Sequence, residues 1–155
     1  MAGTIGECMI EPRHDVLRKL AAYWQAKKGG RLAPARADID PVDIPALMPH
    51  MMLVDIEPTT RRFRFRLIGT AITNGLGRDL TGRYLDELLL NETQRALFAE
   101  YRRVADTGQP ACATWEYTRE DGRHVRFERV VLPLSSDGTT INMMLSGIAF
   151  DVAHG

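Results

Sequence analysis

The chain has 155 residues, of which 20 are basic and 20 acidic, so its formal net charge is zero. This length suits one globular domain, and the hydrophobic share of 45% and charged share of 26% exclude disordered, collagen-like and coiled-coil classes. A neutral chain has no overall field that attracts nucleic acid or an anionic membrane surface, so we predict neither as a partner.

Targeting and redox signals are also missing from the sequence. No apolar run is long enough to cross a bilayer, and the first residues lack the basic and apolar pattern of a secretory signal. Cys8 and Cys112 are far apart and too few for a disulfide framework. We therefore predict two free thiols and a cytoplasmic location.

The first predicted element is an N-terminal helix. Residues 1–11 have no periodic pattern and are predicted to form a flexible tail before a single domain over residues 12–155. Apolar residues recur at helical spacing between Val16 and Trp24, and two glycines end the pattern. These signals predict a helix over residues 12–28.

A connector, two strands and a group of short helical turns follow. Asp40 before Pro41 predicts a short capped turn in the proline-rich connector. Alternating side chains predict strands over residues 52–57 and 62–67, the second with one apolar and one basic face. Glycines break residues 69–90 into short turns.

The clearest helix signal lies in the second half of the chain. Asn91 is a capping residue with Gln94 three positions later, and Gly108 ends the apolar stripe. These features predict a helix at about Glu92–Asp106.

Three strands complete the chain, at residues 111–119, 124–134 and 140–150, with Asp-Gly turns between them. A change of apolar parity in the middle strand predicts a bulge near Glu128-Arg129. Five strands with clustered helices indicate an α+β domain with an antiparallel sheet.

Five stretches of this pattern resemble a known family. They are Tyr23-Trp24, Leu32–Pro41, Arg64–Thr70, Gly77–Gly82 and Glu128–Leu134. In them the chain resembles a PAS domain, and more narrowly a bacterial PAS-like family first catalogued as a domain of unknown function. The resemblance spans roughly Leu17 to Phe150. It implies a five-stranded antiparallel sheet in the order 2-1-5-4-3, with helices on one face and an N-terminal flanking helix.

The resemblance also implies that a small ligand, where there is one, lies between sheet and helices. Strand parity and the helix stripe then select the candidate ligand-binding residues, and a filled core is the alternative. They are Phe65, Leu67, Phe98, Tyr101, Trp115, Met143 and Leu145.

Arg66 is the polar candidate, because it lies next to the end of the second strand. It belongs to a run of arginines that could form an anion-binding patch. The alternative is a solvated sheet face whose arginines pair with acidic neighbours such as Asp55 and Glu57.

Two cofactor classes known in PAS domains do not fit this sequence. Residues 91–106 contain no histidine, which argues against haem bound through the long helix. No cysteine lies between Cys8 and Cys112, which excludes a cysteinyl-flavin photosensor, while noncovalent flavin stays open. The histidines show no metal-ligand spacing, and no acid–base or nucleophile set predicts an enzyme.

Three functions therefore stay open. The first is a sensory domain that acts through an unknown signalling protein, the second a ligand-free interaction or dimerisation module, and the third a small enzyme.

We also predict a homodimer through the helix Arg13–Lys28, because its apolar stripe is too wide to be covered easily within one chain. The alternative is that this helix folds back over the open sheet face of a monomer.

Overall fold

The computed structural model describes residues 11–88 and 91–151. The predicted tail over residues 1–11 lies, apart from Glu11, outside the described residues. The helices are α1 (Asp15–Lys28), α2 (Thr70–Leu76) and α3 (Glu92–Thr107). The strands are β1 (Met51–Ile56), β2 (Phe63–Ile68), β3 (Ala111–Thr118), β4 (His124–Leu134) and β5 (Met143–Phe150).

The five strands form one antiparallel sheet in the order β2-β1-β5-β4-β3, which confirms the predicted architecture. Short 3-10 turns occupy residues 36–38, 41–43, 48–50 and 85–88. The Asp40 carboxylate accepts a hydrogen bond from the Val42 N–H, as expected of a capped turn at Pro41.

The boundaries of α3 follow from its caps. The side chain of Asn91 accepts a hydrogen bond from the Gln94 N–H at 2.9 Å, which satisfies one of the free donors of the first turn. The chain leaves the helix at Gly108, whose φ of 72° lies in the left-handed region that glycine adopts without strain. Both ends agree with the sequence prediction.

The helix α1 covers the sheet face opposite α3. A side chain at Gly147 would point toward Leu17 and Leu20 of α1, whereas its neighbour Ser146 is bonded to Tyr101 of α3. Because successive strand residues face opposite sides, the two helices sandwich the sheet. The indole N–H of Trp24 donates to the Pro133 carbonyl at 2.8 Å and fixes α1 in place.

The position of α1 removes the argument made for a homodimer. Leu17, Leu20 and Trp24 are buried against the chain's own sheet, so the stripe is not an exposed patch. The structure has the fold-back arrangement that was the alternative to an exposed helix. The homodimer itself stays a prediction.

The irregularity predicted in β4 lies instead in β2. The pairing of β4 with β3 and β5 is continuous through Glu128 and Arg129, so the predicted bulge there is wrong. Helices cover both faces of β4, so the change in its apolar positions along the strand does not indicate a bulge. The register of β2 shifts around Arg66, since Phe65 pairs with Val54 while Leu67 pairs with Leu53.

Candidate functional site

A cavity of about 410 Å³ lies between the α3 face of the sheet and the helical segments that cover it. This volume is within the usual range of small-molecule sites. Its walls come from all five strands below, from α3 above, and from the end of α2 and the segment after it at the side. The apolar wall residues are Met52, Phe65, Leu76, Leu80, Leu85, Leu88, Leu97, Phe98, Tyr117, Phe127 and Ile148.

The buried end of the cavity contains one charged side chain, Arg129 of β4, which is 3% exposed. Its Nη2 donates to the Leu97 carbonyl at 3.0 Å and to the Glu100 carboxylate at 2.9 Å. Its guanidinium lies 4.3 Å from the ring centroid of Tyr101 and 5.5 Å from that of Trp115. The helix α3 is thus attached to the sheet by a buried ion pair and by ring contacts.

Three buried nitrogens around the Arg129–Glu100 pair lack partners. The Nε of Arg129, the Nε of Arg103 and the indole nitrogen of Trp115 have no hydrogen-bond acceptor within the part of the chain that the structure describes. A buried donor without an acceptor costs stability, so such atoms are uncommon in native proteins. Arg129 and Trp115 both lie on the α3 face of the sheet.

Tyr101 joins the same end of the cavity to β5. Its hydroxyl and the Ser146 hydroxyl lie 2.9 Å apart, and both side chains are buried. Burial raises the pKa of Tyr101 above its usual value of 10.0, although the nearby Arg129 charge opposes the shift. Tyr101 therefore stays a neutral hydroxyl at physiological pH.

Two arginines lie at the exposed end of the cavity, near the turn between β3 and β4. Arg119 donates to the carbonyls of Asn74 and Gly75 and lies 2.9 Å from the Asp121 carboxylate. Arg78 lies 3.5 Å from Glu120. These pairs hold the β3–β4 turn against the end of α2, and the exposed side chains around them mark the mouth.

The chemistry of the cavity suits binding. Among the described wall residues there is no histidine or cysteine, and no carboxylate lies at the buried end. Across the described chain, no group of three or more His, Cys, Asp and Glu side chains is arranged to hold a metal ion. Cys112 lies on the α1 face, where burial raises the pKa of its thiol to about 12.

The sequence profile of the PAS domain family matches residues 12–148. The chain belongs to the PAS domain family. No curated protein matches it. Among the described helices, none has the length and apolar character that a membrane crossing requires.

Solved structures similar to this PAS domain show the same fold at low sequence identity. The PAS domain of a Colwellia psychrerythraea protein has a TM-score of 0.55 at 10% identity, covering 72% of this chain and 98% of that one. A Rhodobacter sphaeroides LOV protein has a TM-score of 0.54 at 12% identity, covering 92% and 71%. A tryptophan-to-alanine variant of Drosophila melanogaster Cycle PAS-B, with bound glycerol, has a TM-score of 0.50 at 13% identity, covering 66% of this chain and 99% of that one.

Three of the seven candidate ligand-binding residues lie in the cavity wall of this PAS domain: Phe65, Phe98 and Tyr101. Trp115 lies on the same face, over Arg129, but outside the wall. Met143 and Leu145 pair with Asp55 and Leu53 on the opposite, α1-covered face, so the prediction that they face α3 is wrong. Leu67 is 41% exposed, because the register shift in β2 turns it away from the cavity.

Arg66, the polar candidate, lies outside the cavity. It pairs with Asp55 at 3.2 Å on the outer face of β2, and Arg62 makes two hydrogen bonds to Asp86. Two arginines of this run are thus paired with carboxylates, while Arg61 and Arg64 donate to backbone carbonyls. Arg129 is the buried charged wall residue that sequence reasoning missed, and its signal was the adjacent charges of Glu128 and Arg129 between apolar residues of β4.

Proposed function

We propose that this PAS domain is a sensory module that binds a small molecule in the cavity between its sheet and α3. The single observation that carries the proposal is an apolar cavity of about 410 Å³ with one buried arginine in its wall. Pockets of this size that are lined mainly by apolar and aromatic side chains, with a few polar groups, are typical of small-molecule sites.

The output passes from the cavity to a partner protein. Arg129 faces the cavity, while its neighbour Glu128 faces α1 and accepts hydrogen bonds from the N–H groups of Arg13 and His14. A ligand that moved β4 or Arg129 would thus act on α1 through adjacent residues of one strand. The α1 helix and its outer surface are the proposed contact with a signalling partner.

The proposal is tested by native mass spectrometry of the full chain after incubation with a small-molecule extract of bacterial cells. We expect the wild type to retain a small molecule that Leu97→Trp releases, because the larger side chain fills the cavity. Leu67→Trp is the matched control, since Leu67 is exposed and outside the wall. A wild type that retains nothing, or retention unchanged by Leu97→Trp, would contradict ligand binding and favour the ligand-free interaction module.

A further inference from the structure

The buried Glu100 carboxylate beside the cavity has two arginine partners. The Glu100 carboxylate lies 2.9 Å from Arg129 on one oxygen and 3.7 Å from Arg103 on the other. One carboxylate is therefore shared by two guanidinium groups. The Arg103 side chain reaches solvent, being 41% exposed, whereas those of Arg129 and Glu100 are 3% and 2% exposed. Water therefore solvates Arg103, whereas Glu100 is the one carboxylate within ion-pair distance of Arg129 among the described residues.

The hydrogen-bond capacity of Arg129 is also incompletely used. Its Nη2 serves both Leu97 and Glu100, while its buried Nε has no acceptor within the described chain. A guanidinium binds carboxylates well because its donors diverge in one plane and match the two oxygens. An anionic oxygen in the cavity would satisfy the free donor.

We infer that the ligand of this cavity is a small carboxylic acid with an apolar, ring-containing body, and that Arg129 binds its carboxylate. The inference rests on the proposed ligand-binding function. The rings of Phe65, Phe98 and Phe127 line the space next to Arg129 and would contact the ligand body. Because the Nε is buried, pairing requires the guanidinium to turn toward the cavity, which weakens its bonds to Leu97 and Glu100.

Competition between the ligand carboxylate and Glu100 for Arg129 would link ligand binding to the position of α3. Leu97 and Glu100 both belong to α3, so a carboxylate that draws Arg129 away loosens the contact between α3 and β4. The ligand is thus in direct competition with Glu100 for one guanidinium. The affinity for an acid should therefore rise when the charge of Glu100 is removed.

The test uses the full chain and three pairs of probes at neutral pH: benzoate, phenylacetate and indole-3-acetate, each beside its neutral amide. Affinity is measured by titration calorimetry, and the Nε–Hε signal of Arg129 is followed by NMR. At least one acid should bind about tenfold or more tightly than its amide, as a charged hydrogen bond implies, and should shift the Arg129 signal. Failure of all three acids to bind, or equal affinity of acid and amide, would overturn the inference.

Variants separate Arg129 from the arginines at the mouth. Glu100→Gln should tighten acid binding, an effect opposite to that of general damage to the fold. Arg129→Gln should abolish the preference for the acid, while Arg78→Gln at the mouth should leave it intact. If Arg129→Gln does not fold, Glu100→Gln and the acid–amide comparison still decide whether Arg129 binds the carboxylate.

Loss of the preference in Arg78→Gln instead would place the anion at the mouth and overturn the assignment. A retained neutral molecule in the mass-spectrometric experiment would leave ligand binding standing and refute only the acid.

Discussion

The Nη2 atom of Arg129 lies 2.9 Å from a carboxylate oxygen of Glu100, and both side chains are almost fully buried where α3 packs on β4. Removing one member of a buried ion pair leaves the other charge without compensation, which costs far more than losing an exposed pair. This pair therefore makes the attachment of α3 sensitive to single substitutions.

We predict that Glu100→Ala lowers the free energy of unfolding by about 3–5 kcal/mol, as is usual when a buried pair is broken. The double substitution Glu100→Leu with Arg129→Met should recover most of this loss, because no buried charge then remains. Urea denaturation of the three proteins measures both effects.

The matched control for that experiment is the exposed pair of Arg62 and Asp86. Arg62→Ala should cost about 1 kcal/mol or less, because water screens the pair. A loss of equal size in Glu100→Ala and Arg62→Ala would show that burial of the Arg129–Glu100 pair is energetically unimportant.

The sequence predicted most of this fold because its signals are local. The Asn91 cap and the Gly108 stop fix α3, and Asp-Gly turns fix the register of the last strands. The cavity wall was only partly predictable. Alternation of apolar and polar residues shows which side chains face the core only when one face of the strand is exposed to solvent. Because β4 and β5 are covered on both faces, the sequence did not indicate which face Met143 and Leu145 occupy.

The register shift in β2 was not predictable either. Phe63, Phe65 and Leu67 alternate regularly in the sequence, yet Leu67 faces outward because Arg66 takes the extra position of a bulge. The bulge is defined by how β2 pairs with β1, so the sequence of β2 alone does not indicate it. In the same way, the role of Arg129 depends on Glu100, 29 residues away in sequence.

We predict that Trp24→Ala lowers the free energy of unfolding by about 3–5 kcal/mol, because a fully buried indole is removed. Trp24→Phe should cost less, since most of the ring packing remains while the hydrogen bond to the Pro133 carbonyl is lost. Gln25→Ala, on the exposed side of α1, is the control and should change stability by no more than about 0.5 kcal/mol. A near-neutral Trp24→Ala would mean that α1 does not pack on the sheet.

We predict an acid-sensitive attachment of α1 through Glu128. Burial alone would raise the pKa of Glu128, but hydrogen bonds from Arg13 N–H and from the backbone and ring of His14 outweigh it, so the pKa lies below its usual 4.5. A lowered pKa in the folded state means that Glu128 stabilises the fold above pH 4.5 and that this contribution is lost as the pH falls further.

Glu128→Gln should therefore be less stable than the wild type at neutral pH, with the difference shrinking as the pH falls below 4.5. Thermal unfolding of both proteins across this pH range measures the difference. Glu120→Gln, at the exposed β3–β4 turn, is a control for loss of a carboxylate outside the α1 attachment. A gap between wild type and Glu128→Gln that stays constant with pH would contradict the prediction.

The homodimer through α1 can now involve only the outer surface of the helix, because Leu17, Leu20 and Trp24 pack on the sheet. Removing residues 1–30 would uncover this packed face of the sheet, so truncation would unfold or aggregate the chain and could not decide the question. A charge at exposed Ala22 is the cleaner change, because two-fold symmetry would bring both copies of the new charge close together. We expect sedimentation of the wild type at high micromolar concentration to show a dimer that Ala22→Arg dissociates, while Ala37→Arg, exposed outside α1, leaves it intact. A wild type that sediments as a monomer at this concentration would rule the dimer out, and a dimer that survives Ala22→Arg would place the contact elsewhere.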